Sequence, residues 1–433
     1  MPAELMGLPT GVEGAAIWVR RVQAQNEARR APRPSIGNDM EPRDCGLKPL
    51  PDPAQPQAGA KPGAFNDGLP RETYLREAAR RTLAQAASRA PVFERLVAFW
   101  SNHFTVSVQR PPILGLAGAF EREAIRPHVL GRFEDMLLAV ARHPAMLFYL
   151  DNAVSIGPDS RVGQTRQRGL NEKLAREILE LHTIGVNGGY TQNDVRALAL
   201  VLTGWSIGRP QDDKPGHFLF RQITHQPGEK ALLGNRYGAG EAEGVKALKD
   251  LARHPATARH IAVKLARHFI ADDPPAAGVE RLRGVFLSTG GDLAAVTRAL
   301  VEDKEAWARP LSKLRSPNEL VVAALRATAL RPSDDRHVVG SLRRLGQAPF
   351  AAPSPAGWPD RMQDWVAPEA MLRRVEWAGL LAARLSAERA PLDVFHATIA
   401  PAAAEATRLA VERAPSARDG LALVLASPEF QRR

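Results

Sequence analysis

A mainly α-helical fold follows from three observations. From PRETYLREAARRTLAQAASRA (70–90) onward, apolar residues recur three and four apart with few β-branched runs. Helix-start signals recur along the chain, with Pro after His143 and after His254, and Thr191 three residues before Asp194. At 433 residues, 44% hydrophobic and 24% charged, the chain can bury a sizeable core, as one large domain or two intimately packed ones.

The first 72 residues hold 11 of the 35 prolines. A short helical stretch around Trp18 leads into RAPRPS, KPLPDPAQPQ and KPGAFNDGLP, so 31–70 reads as an extended, poorly ordered connector ahead of a helical domain over 73–433. Pro91 can open a helix whose apolar arc is Phe93, Leu96, Val97, Trp100 and Phe104. His103 projects between Phe99 and Leu96, toward the core, while Asn102 points away.

The next marked element is NEKLAREILELH (171–182). At 100° per residue, Leu170, Leu174, Ile178 and Leu181 form its apolar arc, with Asn171 and His182 inside it and Glu177 at the border. Lys173, Arg176 and Glu180 fall on the polar side, where Lys173 with Glu177 and Arg176 with Glu180 are spaced to pair. Each inward polar group also has a plain structural use, Asn171 as an N-cap and His182 as a donor to a backbone carbonyl. In GGYTQNDVRALALVLTGW, Thr191 caps a helix, Tyr190 can staple onto Val195, and Val195, Leu198, Ala199 and Leu202 run to Gly204.

One stretch breaks the helical pattern. HFLFRQITHQPGEKALLG (217–234) places Phe218, Phe220 and Ile223 near a Pro-Gly turn, as in a short β-hairpin or an ordered loop inserted between helices. Toward the C-terminus, PSPAGWPDRMQDW (353–365) is a loop whose Trp358 and Trp365 either line a pocket or anchor the loop.

Composition excludes several functions. The net charge of +11 favours acidic partners, but the arginines are scattered over helices as solvated faces, which disfavours nucleic acid. The single cysteine, Cys45, excludes an internal disulfide framework and a cysteine metal site. No uncharged apolar run is long enough to span a bilayer. MPAELMGLPTGVEGAAIWVRR lacks the basic-then-apolar order of a secretory signal, so a cytoplasmic location is expected if the protein starts at this Met, and export if a leader precedes it. GVNGGY lacks a Walker lysine, GNRYGAGEAEG follows no clear parallel strand, and G-x-S-x-G and H-E-x-x-H are absent.

The residues that can carry chemistry lie on separate segments. His103, His182, and His225 with Lys230 nearby could converge on one cleft beside Glu177 and Glu180. A buried His there would be a general base or a metal ligand, a carboxylate its orienter or the acid, and Arg176 an anion clamp, with hydrolysis the default reaction. A metal would need ligands from several segments, because Ile178 and Leu179 occupy the ligand offsets from His182. Neither a metal nor any other cofactor is specified. His143, His254, His260, His268, His337 and His396 sit at helix starts or among Arg and Ala, and receive no role.

As an ordered set, LVAFWSNHF, NEKLAREILELHTIGVNGGYTQNDVRALALVLTGW, ITHQPGEKALLG, HPATARHIAVKLARHFIADDPP and PSPAGWPD closely resemble the bacterial family of domains of unknown function numbered 1800, over about residues 73–430. The resemblance implies a mostly helical bacterial protein, often encoded beside a sulfatase-like family numbered 1501 and in many members exported. It implies no reaction. The family's motif residues correspond here to His103, Asn171, Arg176, Glu177, Glu180, His182, Thr203, Trp205 and His225, which raises Arg176 and Glu180 above the rank that periodicity gives them. Two departures stand out: Gln226 replaces the acid that usually follows His225, and the family's Arg-Phe-Gly-rich opening is not found before residue 73. Two functions fit, an enzyme of hydrolase type and a non-catalytic helical protein acting with the sulfatase-like partner.

Overall fold

The computed structural model describes residues 1–30, 68–165, 169–308, 311–332, 334–385 and 388–433. It is 62% helical, with two small antiparallel two-stranded sheets among the described residues. The fold is therefore mainly α with a small β insertion. The connector expected over 31–70 falls outside the described residues as far as 67. The helix around Trp18 is longer than its local pattern suggests, running Gly11–Arg30, and its Ala15 is part of the main core.

Two apolar bodies organise the chain. The larger draws on Ala15 and on residues between Leu96 and Leu300, and the second on residues between Leu320 and Phe430. The helix Gly68–Ala87 joins them, with Tyr74, Ala78 and Ala79 packed on Val338 and Val339, and Leu83 against the second body. The last residues return as extended chain beside 313–315, where Lys313 and Arg433 exchange backbone hydrogen bonds of 3.1 and 2.9 Å. Arg433 is thereby brought to the helix Pro255–Phe269, and its guanidinium donates to the His268 carbonyl at 2.8 Å.

Several elements form for the reasons their sequence gives. Pro91 occupies the first turn of the helix Pro91–His103. Thr191 and Asp194 make a complete capping box on Gln192–Val201. His143 and His254 act as N-caps, each accepting through Nδ1 the amide of the residue after the proline.

The 171–182 stretch departs from the single helix that its periodicity predicts. It is α-helical only over Lys173–Glu177 and then widens into a π-turn over Ile178–His182. The cause lies just downstream: the Thr183 hydroxyl donates to the Ile178 carbonyl at 2.6 Å and the Gly185 amide to Leu179 at 3.0 Å, which holds the wider turn closed. Asn171 lies before the helix, so helical projection does not apply to it. Lys173 pairs with Asp151 rather than Glu177, whereas the Arg176–Glu180 pair forms.

The β insertion also differs in its pairing. Phe218–Phe220 pairs back onto Trp205–Ile207, and Lys230–Leu232 pairs forward with Asn235–Tyr237. Leu233 and Gly234 both have positive φ, 47° and 78°, which suits a two-residue turn matching the strand twist.

Candidate active site

Three segments line a cavity of about 240 Å³, the end of Pro91–His103, the helix Pro255–Phe269 and the loop over 356–364, and the π-turn Ile178–His182 packs behind His103. His103 and His182 are each 1% exposed, with ring centroids 6.1 Å apart, and His260 lies 6.0 Å from His103. His103 Nε2 donates to the His182 carbonyl at 3.1 Å, and His260 Nε2 donates to the Leu181 carbonyl at 3.0 Å. These are end-of-turn carbonyls that have no backbone donor ahead of them, so both imidazoles cap the π-turn. Donation from Nε2 leaves Nδ1 as the unprotonated nitrogen. The Nδ1 atoms of His103 and His182 are buried without a hydrogen-bond partner.

Burial keeps these rings neutral. It pushes His182 down to about 3 and His260 to about 4, with the positive charge of Lys264 adding to both, and holds His103 well below the ordinary imidazole range for the same two reasons.

His260, Lys264 and His268 are four residues apart and share one face of Pro255–Phe269. Lys264 lines the cavity, and its ammonium makes no ion pair or hydrogen bond among the described residues. Burial lowers its pKa to about 8, partly offset by Asp360. His268 Nδ1 and Asp360 Oδ1 are 3.0 Å apart, and both residues also line the cavity. Burial lowers the His268 pKa against the pull of Asp360. The Asp360 carboxyl, which burial alone would raise, is held below its usual range by His268 and Lys313.

The loop that carries Asp360 is fixed from three sides. Asn102 donates to the Trp358 carbonyl at 2.9 Å and accepts its amide at 2.7 Å. Lys313 binds the Asp360 carbonyl at 2.5 Å and Asp272 at 2.6 Å, and Asp272 accepts the Met362 amide. Trp365 donates to the Pro359 carbonyl. Gly357 has φ +84° and packs so closely that a Cβ would lie 2.4 Å from the Asn102 carbonyl, so the turn requires glycine. Asn102, which points away from the core, is thus the clasp of the PSPAGWPD motif; Trp358 lines the cavity and Trp365 anchors the loop.

The remaining sequence candidates lie elsewhere. Asn171 bridges Lys173 and Asp151 through its amide, at 2.9 and 3.2 Å. Arg176 spreads over Glu172, Glu180 and Gln192 and is 37% exposed. Burial and the neighbouring Glu180 raise the Glu177 carboxyl, and burial with Glu177 pushes the Tyr149 phenol up to about 12.

His225 has both nitrogens committed to backbone. Nδ1 donates to the Thr203 carbonyl at 2.7 Å, and Nε2 accepts the Gly240 amide at 2.9 Å. Gln226, where an acid would be usual, exchanges two hydrogen bonds with Asp159 and locks that loop. None of Asn171, Arg176, Glu177, Glu180, His182 and His225 lines the 240 Å³ cavity. Among the described residues, no group of three or more His, Cys, Asp or Glu is disposed to hold a metal ion.

The ordered motifs can now be set against known proteins. The family described as protein of unknown function (DUF1800) matches residues 13–432, nearly the whole chain. The chain belongs to DUF1800. No curated protein and no solved structure matches it. The match begins at residue 13, so the DUF1800 assignment takes in the helix Gly11–Arg30, ahead of the 73–430 span over which the motifs carry the resemblance. Within this DUF1800 chain, sequence reasoning passed over His260, Lys264, His268 and Asp360, although all four lie inside blocks that carry the resemblance. Their fourfold spacing was the available signal. The surrounding Arg and Ala made that face look solvated, because the loop that covers it comes some 90 residues later.

Proposed function

We propose that the chain is an enzyme of hydrolase type, working by acid–base chemistry in the cavity shared by Lys264, His103 and the His268–Asp360 pair. One observation carries this reading: a lysine ammonium unpaired among the described residues lines a cavity together with an imidazole that a half-buried carboxylate orients. With a pKa of about 8, Lys264 has a substantial neutral fraction near pH 8 and can take a proton from water or attack a carbonyl. Asp360 holds His268 through Nδ1, which leaves Nε2 to give or receive a proton. His103 and His182 support this wall, since their rings cap and pack the π-turn behind it. Of the three segments expected to build the cleft, only 93–104 lines this cavity; 171–183 packs behind it, 217–234 takes no part, and 255–269 and 356–364 supply the rest of the lining.

The test is turnover on a panel of ester, amide and phosphoester reporters by the purified protein. Activity should rise with a midpoint near pH 8, and Lys264→Met should lower it by about 10²–10⁴-fold while the protein stays folded. A Lys264 that titrates like a free lysine, together with no turnover on the panel, sinks the reading.

A second reading has its own observation. Leu372 and Val375 on the helix Pro368–Leu385 are 59% and 53% exposed, and Leu380 is 49% exposed. Such a face suits a protein partner, with the sulfatase-like family numbered 1501 as the candidate. Co-purification of the pair that Leu372→Asp abolishes would favour it, and failure of the two proteins to associate at micromolar concentration would count against it.

A further inference from the structure

A second cavity of about 280 Å³ adjoins the first, and His268, Asp360 and Trp358 line both. Most of its wall is apolar, from Ala98, Val106, Val322, Ala323, Phe350 and Trp358. One end is strongly cationic. Arg95, Arg315 and Arg433 line it with Glu319 among them, while the cavity's other carboxylates, Glu94 and Asp360, are held by Arg126 and by His268 with Lys313. Arg433 Nε sits 2.7 Å from Glu319 Oε1, and Arg95 Nε is 3.8 Å from the same oxygen, beyond hydrogen-bond reach.

The charges do not balance. Arg95 lies over the Phe269 ring, and its Nε and Nη2 are buried with no hydrogen-bond partner. Arg315 donates to the Phe430 carbonyl and stacks on the Phe430 ring, and no carboxylate pairs with it among the described residues. Behind them Arg374, 2% exposed, binds Gln431 and the Arg315 carbonyl and no carboxylate among the described residues. Asp360 is already shared by His268 and Lys313. Glu319, despite its burial, is held down to about 2 by Arg433, His268 and Arg95, so it stays ionised and still leaves positive charge in excess. Guanidinium groups out of water are costly unless they are paired, and their planar fork suits carboxylate or phosphate oxygens.

We infer that this cavity binds an amphipathic anion, its carboxylate or phosphate head on Arg95 and Arg315 and its apolar body along the Ala98–Val322–Phe350 wall. The inference stands whether or not Lys264 reacts, because it concerns binding alone. Arginine keeps its charge throughout the working pH range, so the head group is held without any lysine or histidine having to be protonated.

Isothermal titration calorimetry of the full chain with octanoate, octyl phosphate, 1-octanol and inorganic phosphate tests it. Either amphipathic anion should bind at least about tenfold more tightly than octanol and than inorganic phosphate, and the better of the two identifies the head. Arg95→Gln should weaken that anion by about tenfold or more, Arg95→Lys should retain part of the affinity, and Ala98→Phe, which fills the apolar wall, should abolish binding without touching the charges. Octanol binding as tightly as octanoate would overturn the anion site. Inorganic phosphate binding as tightly as octyl phosphate would overturn the apolar part. If Arg95→Gln does not fold, Arg95→Lys and Ala98→Phe decide the question, and affinities unchanged in both would overturn the inference.

Discussion

A lysine ammonium that leaves water without a carboxylate to receive it becomes easier to deprotonate, and Lys264 is in that position. Reductive ¹³C-methylation followed by NMR titration should find the Lys264 signal with a midpoint near 8, well below the ordinary lysine value of about 10.4. Asp360→Asn should lower that midpoint further, because the Asp360 charge is what raises it. The neighbouring His103 is held by one bond to the His182 carbonyl. His103→Ala removes a buried ring and orphans that carbonyl, and should cost about 3 kcal/mol in a denaturant titration. His103→Gln, whose amide can reach where Nε2 stood, should recover part of the loss. At this scale the sequence was half legible. Periodicity turned His103 and His182 into the core, where both are 1% exposed. The same reasoning left His268 without a role and did not single out Lys264, since a charged residue four from a histidine looks like any solvated helix face until the covering loop is known.

Elements were legible where their signals are local, and illegible where a side chain rewrites the backbone. The capping box on Gln192–Val201 follows from two residues three apart, whereas the π-turn follows from a Thr183 hydroxyl bonded five residues back, which a fixed 100° projection cannot represent. Asp194 shows how one element reaches another: one carboxylate oxygen completes the cap, and the other accepts the Leu233 amide at 2.7 Å from the turn of the second hairpin. Thr191→Ala should therefore cost about 1 kcal/mol, as an ordinary cap does, and Asp194→Ala about 2, because it also unties the hairpin. Equal losses in urea melts would show that the hairpin contact contributes nothing. The 353–365 loop makes the same point over a longer span. Its Pro, Gly and Trp marked a loop, but the clasp by Asn102 joins positions 256 residues apart. Gly357→Ala should release that clasp, lower the melting temperature, and weaken any ligand measured in either cavity.

Over the whole molecule, the placement of neutral imidazoles sets how stability depends on pH. His103, His182 and His260 are kept neutral by burial in the fold, whereas in the unfolded chain each titrates near 6.5. Their folded values are depressed, so the stability they contribute is fully present above about pH 6.5 and is lost as the pH falls from there toward 4 and below. Near pH 5 the unfolded chain holds about three more protons on these rings than the native one, a slope of roughly 4 kcal/mol per pH unit. The carboxylate term lies lower. Glu319, near 2 in the fold and near 4.5 when free, loses its contribution only as the pH falls from about 4.5 to 2, so above pH 5 the imidazoles act without it. Each imidazole that charges also adds to a chain already at +11, which favours expansion further. Guanidinium midpoints measured at pH 7, 6, 5.5 and 5 should fall steeply over this window, and His182→Gln should reduce the slope by about one proton. A midpoint that stays level between pH 7 and 5 would mean that these rings are not held neutral in the core, and the wall behind the cavity would then need a different account.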